Sequence, residues 1–115
     1  MKVLTTRDFM DKVAELLQLY PSVISDLAPV IAQIKRGDTP GDRVPRLGGR
    51  PIYKVRVPNR DAQRGKSGGH RVIYYLVDGE KRLLLTMYSK SERKDISPEE
   101  IIAVLRKWES DQKQS

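Results

Sequence analysis

Apolar positions along the first 37 residues follow one short extended pattern and then two helical ones. Val3 and Leu4 lie in a short strand over residues 1–5, after which Phe9, Val13, Leu16, Leu17 and Tyr20 recur at the spacing of a helix face. Thr5 or Thr6 caps that helix, and Pro21 ends it. A second helix is expected to start at Ser25 or Asp26, with Leu27, Val30, Ile31 and Ile34 on one face and Lys35-Arg36-Gly37 closing it. Pro29 then falls in or just past the first turn, where a missing N–H costs little.

Residues 38–51 are rich in Gly, Pro and Arg and offer one short edge strand near residues 44–47. From Ile52 the pattern becomes two-fold. In Tyr53-Lys54-Val55-Arg56-Val57 the valines can face a core while Lys54 and Arg56 project together from the other side. Residues 70–77 and 83–88 are continuous apolar, β-branched and aromatic runs suited to central strands, joined through Asp78-Gly79 by a connection of about four residues. Ser97-Pro98-Glu99-Glu100 combines an N-cap, a proline at the first helical position and a capping-box glutamate, so a last helix carries Ile101, Val104, Leu105 and Trp108. Residues 110–115 read as a frayed polar tail. The order of elements is that of one α+β domain over residues 1–109.

Composition narrows the chemistry. With no Cys and a single His among 115 residues, thiolate catalysis, disulfides and histidine- or cysteine-built metal sites are excluded. The N-terminus has no apolar run of signal-peptide length, and no run of about 20 apolar residues could span a bilayer, so a soluble cytoplasmic protein without membrane association is expected. The net charge of +7 is concentrated: residues 43–94 hold 14 Lys and Arg against four acids, while the flanking segments are slightly acidic. Local excess of this kind reads as the footprint of a polyanion partner, the alternative being a solvated basic face that keeps the protein soluble.

Several residues invite specific chemistry. Gly65-Lys66-Ser67 resembles part of a phosphate loop, but Arg60 stands where the first glycine is needed and a strand follows instead of a helix, so nucleotide-triphosphate binding is rejected. Arg60, Arg64 and Lys66 remain candidates for gripping RNA phosphates from a loop, or are parts of a solvated connector. Lys54, Arg56 and Arg71 can gather on one sheet surface. A charge such as Arg71 before an apolar run is costly without a role, whereas Lys54 also fits an edge-strand lysine. His70 is either a general base or a packed side chain. Trp108, Tyr74 and Tyr75 are core or core-edge residues, and Tyr88 either packs, stacks on a base or donates a proton.

Taken in order, Tyr53-Lys54-Val55-Arg56-Val57, Gly68-Gly69-His70-Arg71-Val72-Ile73-Tyr74-Tyr75 and Tyr88-Ser89-Lys90-Ser91-Glu92-Arg93 resemble the RelE/ParE superfamily of toxins from type II toxin-antitoxin modules, nearest its RelE and HigB-type branch. The resemblance covers roughly residues 1–108. It implies two N-terminal helices packed on a twisted, mainly antiparallel sheet with a C-terminal helix, and metal-independent endoribonucleolytic cleavage of mRNA, in many members within the ribosome. It also implies a cognate antitoxin that neutralises the toxin and through which alone operator DNA is bound.

By the same resemblance, Lys54 and Arg56 match the family's strand cations, Arg71 its arginine before the central strand, and Lys90 and Arg93 cations of the segment before the last helix. Ser91 and Ser97 depart from the arginine and tyrosine of some members. For attack of a ribose 2′-OH on the adjacent phosphate, Arg71 and Arg93 are expected to hold the phosphate. Lys54, beside the Arg56 cation and partly desolvated, is expected to act as base, and Tyr88 or Lys90 as acid. The alternatives are a ParE-like toxin that inhibits DNA gyrase without cutting RNA, and a catalytically degenerate domain that binds nucleic acid or antitoxin.

Overall fold

A computed structural model describes residues 1–62 and 69–114. The first strand, β1 (Lys2–Thr5), ends at Thr6, whose Oγ1 accepts from the Phe9 N–H at 2.9 Å and donates to the Leu85 carbonyl at 2.6 Å. One side chain thus caps α1 (Arg7–Leu19) and fastens it to the sheet. Phe9, Val13 and Leu16 are buried, and the helix stops before Pro21.

The second helix, α2 (Val23–Lys35), begins earlier than the Ser25 or Asp26 start expected from sequence. Ser22 is its cap residue, and the Ser22 N–H donates to Asp61 Oδ2 at 2.6 Å, a carboxylate placed at a helix N-terminus. Asp26, nearly fully buried, lies inside the helix because Ser22 Oγ (2.7 Å), the Arg60 N–H (3.1 Å) and the Arg60 guanidinium (3.2 Å) all meet its carboxylate. Pro29 is therefore interior, not in the first turn. Its exposed position leaves the Ser25 carbonyl accessible to water.

The edge strand also sits elsewhere. β2 is Asp42–Arg43, two residues before the expected 44–47 segment, and pairs antiparallel with β3 (Ile52–Val57). Gly41 sets this position: at φ 90°, a Cβ on it would lie 2.2 Å from the Lys54 carbonyl oxygen. Residues beyond β2 instead form a strap that buries Leu47. A 3₁₀ turn (Arg60–Ala62) follows β3, and β4 (His70–Leu76) and β5 (Lys81–Ser89) form the central hairpin. Asp78 Oδ1 accepts from the Glu80 and Lys81 N–H groups at 2.7 and 2.9 Å and closes its four-residue turn.

The five strands lie in the order β1-β5-β4-β3-β2, with β1 parallel to β5 and the other pairs antiparallel. Between Ile73 and Tyr74 the register shifts: Ile73 faces Thr86, whereas Tyr74 faces Leu84. Leu85 is thus the extra residue of a bulge. Up to Leu85, odd-numbered residues of β5 face one way; after it, Thr86 and Tyr88 take that side and Met87 takes the other.

Two apolar cores flank the sheet. Phe9, Leu16, Val23, Ile34, Val57, Val72, Tyr74 and Met87 pack between the sheet and α1 with α2. Leu47, Ile52, Ile73, Leu83 and Leu85 pack against Ile101 and Leu105 of α3 (Pro98–Lys113) on the opposite side. Ser97 and Glu100 cap α3 reciprocally, and the helix continues to Lys113, through most of the segment expected to be frayed. Burying Ile101 and Leu105 contributes about 1.5–3 kcal/mol each. No helix of the described residues is long and apolar enough to cross a membrane.

Candidate functional site

The α3 side of the sheet is only half covered. Toward the C-terminal end of β3, the cross-strand pairs Arg56↔Arg71 and Arg71↔Tyr88 place these three residues in one row over β3, β4 and β5. Lys54 lies one step back along the same face, beside Ile73. The alternation in β3 and the bulge in β5 together produce this row. With regular alternation, Tyr88 would point toward α1.

A carboxylate joins the row to the segment before α3. Asp95 Oδ1 accepts from Lys54 Nζ at 3.2 Å, from the Tyr88 hydroxyl at 3.2 Å and from the Ile96 N–H at 2.8 Å. Its backbone oxygen takes a further bond from Arg93 Nε at 2.8 Å. The Ile96 N–H and then Lys54 hold the Asp95 carboxyl below the usual carboxylate range, although partial burial opposes them. Tyr88 responds in the other direction: burial first and the Asp95 charge second push its phenol up to about 12, although Arg71 and Arg93 pull it down. At neutral pH the pair is therefore a phenol beside a carboxylate.

Arg93 is largely engaged within the chain. Besides the Asp95 carbonyl, it grips Glu100 through both terminal nitrogens at 2.8 and 3.1 Å, and its guanidinium lies 5.9 Å from the Tyr88 ring centroid. This bidentate bond raises Arg93 further and holds Glu100 below its ordinary value. Lys90 donates to the Lys94 carbonyl at 2.8 Å. Lys90, Arg93 and Asp95 thus brace the 90–97 segment into a rigid arm beside the sheet.

The residues singled out from sequence separate into groups. Lys54, Arg56, Arg71, Tyr88 and Arg93 come together. Lys90 is near in sequence but spends its ammonium on the arm. Arg60 is tied to Asp26 of α2, apart from the strand cations, while Arg64 and Lys66 lie outside the described residues. Lys54 stands as half of an ion pair with Asp95 rather than beside Arg56 alone, the setting from which a base role was expected.

His70 is fully buried on the α1 and α2 side, its ring edge-on to Tyr20 at 5.6 Å, with neither nitrogen bonded among the described residues. Burial lowers its pKa, partly opposed by Asp26 and Asp61. The sheet separates it from Lys54 and Tyr88, which removes it from this site. Three further basic residues of the middle third serve the fold: buried Arg82 donates to the Gly37 and Asp38 carbonyls at 3.2 and 3.3 Å, and Arg43 and Arg50 bond the strap at Gly49 and Leu47.

Asp95 was not legible as a functional residue. It stands outside the basic segment and two residues before a helix cap, where an acid has an ordinary structural reading. Its role emerges only from the approach of Lys54 and Tyr88, which are 41 and seven residues away in sequence. No group of three or more His, Asp or Glu among the described residues is arranged to hold a metal ion. A family model described as "RelE toxin of RelE / RelB toxin-antitoxin system" matches residues 1–113. The match spans nearly the whole chain, which is accordingly a toxin of a toxin-antitoxin system and belongs to the RelE toxin family.

Proposed function

We propose that this toxin is an mRNA endoribonuclease, acting on ribosome-bound message in the cytoplasm and held in check by its cognate antitoxin, which also supplies contact with operator DNA. The observation that carries this reading is the row Arg56, Arg71 and Tyr88 with Lys54 behind it. It sets guanidinium groups and an ammonium on one face of the sheet, beside a protonated phenol that is only 5% exposed, as cleavage of a phosphodiester requires. Arg71, central in the row, grips the scissile phosphate, and Arg56 and Lys54 stabilise the charge that grows on its oxygens. Tyr88, with its phenol pushed up to about 12, is a proton donor for the 5′-oxygen throughout the neutral range. Arg93 steadies the arm and adds positive field. The site asks for no metal in this reading.

Incubating the protein with programmed ribosomes and mapping mRNA ends tests it. Wild type should cut, and Arg71→Ala should lose about 10²–10³-fold in rate with unchanged thermal melting. Full activity in Arg71→Ala would remove the phosphate-binding assignment. Inhibition of gyrase supercoiling with intact RNA would transfer the function to the non-nucleolytic reading.

A further inference from the structure

Resting on the nuclease reading, we infer that Asp95 is the general base, accepting the ribose 2′-OH proton through Oδ2. Three donors converge on Oδ1, and a fourth bond fixes the Asp95 backbone. Oδ2 receives no hydrogen bond from the described residues, and the side chain is 64% exposed. The carboxylate is therefore held in place with one oxygen available. Asp95 and Lys54 also share the wall of a half-open cavity of about 390 Å³, lined as well by Val44, Pro45, Ile73 and Ile96. This volume falls within the range of small-ligand sites, about 300–1,000 Å³, and gives a ribose and its base a place beside the carboxylate.

The remaining candidates for the base have other engagements. Lys54 is ion-paired with Asp95 itself, Tyr88 is a phenol at neutral pH, Glu100 is clamped by Arg93, and His70 is across the sheet. The charged and titratable groups facing Asp95 are Lys54 from β3, Tyr88 from β5, Arg93 from the arm, Glu100 from α3 through Arg93, and Arg46 from the strap across the cavity. Cations outnumber acids there, so the carboxylate remains ionised over the neutral range.

The step closes without another reactant. The 2′-O–H proton passes to Asp95 Oδ2 while the 2′-oxygen forms a bond to phosphorus. The P–O5′ bond breaks, and the Tyr88 proton goes to the 5′-oxygen. The products are a 2′,3′-cyclic phosphate and a 5′-hydroxyl, with Asp95 as the acid and Tyr88 as phenolate. A carboxyl is far more acidic than a phenol, so the two re-equilibrate to carboxylate and phenol, and the site is restored. A carboxylate held below its usual range is a weak base. What it offers is permanent ionisation and fixed position.

Single-turnover cleavage on programmed ribosomes from about pH 5.5 to about pH 9 tests the assignment with the full chain. Wild type should show a nearly flat profile, yield cyclic-phosphate ends, and fail on a message with 2′-deoxyribose at the cut position. Asp95→Asn keeps the Oδ1 acceptor for Lys54 and Tyr88 but not the base, and should lose about 10²–10⁴-fold. Asp95→Glu should recover part of that loss, and serves if the Asn variant does not fold. Asp95→Asn cutting as fast as wild type, or a wild-type rate climbing about tenfold per pH unit through neutrality, would assign the proton to another group and overturn this inference alone. Wild type leaving all mRNA intact would overturn the nuclease reading and this inference with it.

Discussion

Val57, Val72 and Met87 lie under α1 and α2, almost fully buried, whereas Arg56, Arg71 and Tyr88, one residue away along the same three strands, point to the opposite face. The first face is sealed by two helices and holds even His70 without a bonded partner among the described residues. The second is covered by one helix and the 44–50 strap over Ile52, Ile73, Leu83 and Leu85, and beyond them it is exposed at Arg56 and half-buried at Arg71. Burial on one side fixes the strands in register. Exposure on the other lets that register present charges side by side, an arrangement that repulsion would scatter on a flexible chain. Packing and the proposed chemistry thus use alternate residues of the same backbone.

The comparison is broken most severely by removing packing beneath the open face. Leu105→Ala should cost about 2–5 kcal/mol in urea unfolding, since Leu105 is 1% exposed and joins α3 to the sheet. Loss of mRNA cleavage should follow stability in this variant. In Gly41→Ala the strained positive φ and the contact with the Lys54 carbonyl should cost about 1–3 kcal/mol. There, cleavage should fall even under conditions where circular dichroism shows a folded protein, because β3 must shift at Lys54 itself. Activity that tracks stability alone would show that Lys54 tolerates displacement.

Cap removal is a milder probe of each face. Thr6→Ala should lose about 1 kcal/mol or more, because the hydroxyl both caps α1 and bonds Leu85. Ser97→Ala should lose about 1 kcal/mol but, by loosening Glu100, should also lower activity through Arg93 and the Asp95 arm. Equal effects of the two variants on cleavage at matched stability would contradict the separation of the faces.

The smallest effect is expected at His70, and its sign depends on pH. Folding lowers the His70 pKa, so the unfolded chain binds more protons near its ordinary value of 6.5. The stability associated with neutral His70 is complete above that pH and declines as pH falls through it. Replacing the ring by an apolar side chain should flatten this part of the pH-stability curve while leaving cleavage near wild type. A large loss of cleavage in folded His70→Leu would return the imidazole to the catalytic side.

How much was readable in advance varied with the range of the interactions. Ser97-Pro98-Glu99-Glu100 fixed the start of α3 because cap, proline and capping-box glutamate act within four residues. Alternation in residues 53–57 placed Lys54 and Arg56 on one face because a strand has period two. Local signals misplaced α2, since Asp26 is held inside by Ser22 and Arg60 rather than exposed at a cap, and Asp61 meets the Ser22 N–H at the helix start. They misplaced the edge strand as well, because Gly41 permits a backbone approach that no neighbouring residue announces.

The basic middle third was evident from composition, but its division into residues spent on the fold and residues gathered beside Tyr88 was not. Arg82 looks like Arg71 in sequence, each standing near the start of an apolar run; only the third dimension shows one donating to Gly37 and Asp38 and the other beside Tyr88. By itself the sequence determined the α+β element order, the two-faced strands and the pool of cations, all consequences of short-range periodicity and charge. Tertiary structure decided which cations meet, turned Tyr88 to their face through the bulge at Leu85, and brought Asp95 to Lys54 and Tyr88. Those contacts join residues far apart along the chain, and their geometry comes into being only when the sheet and α3 have packed.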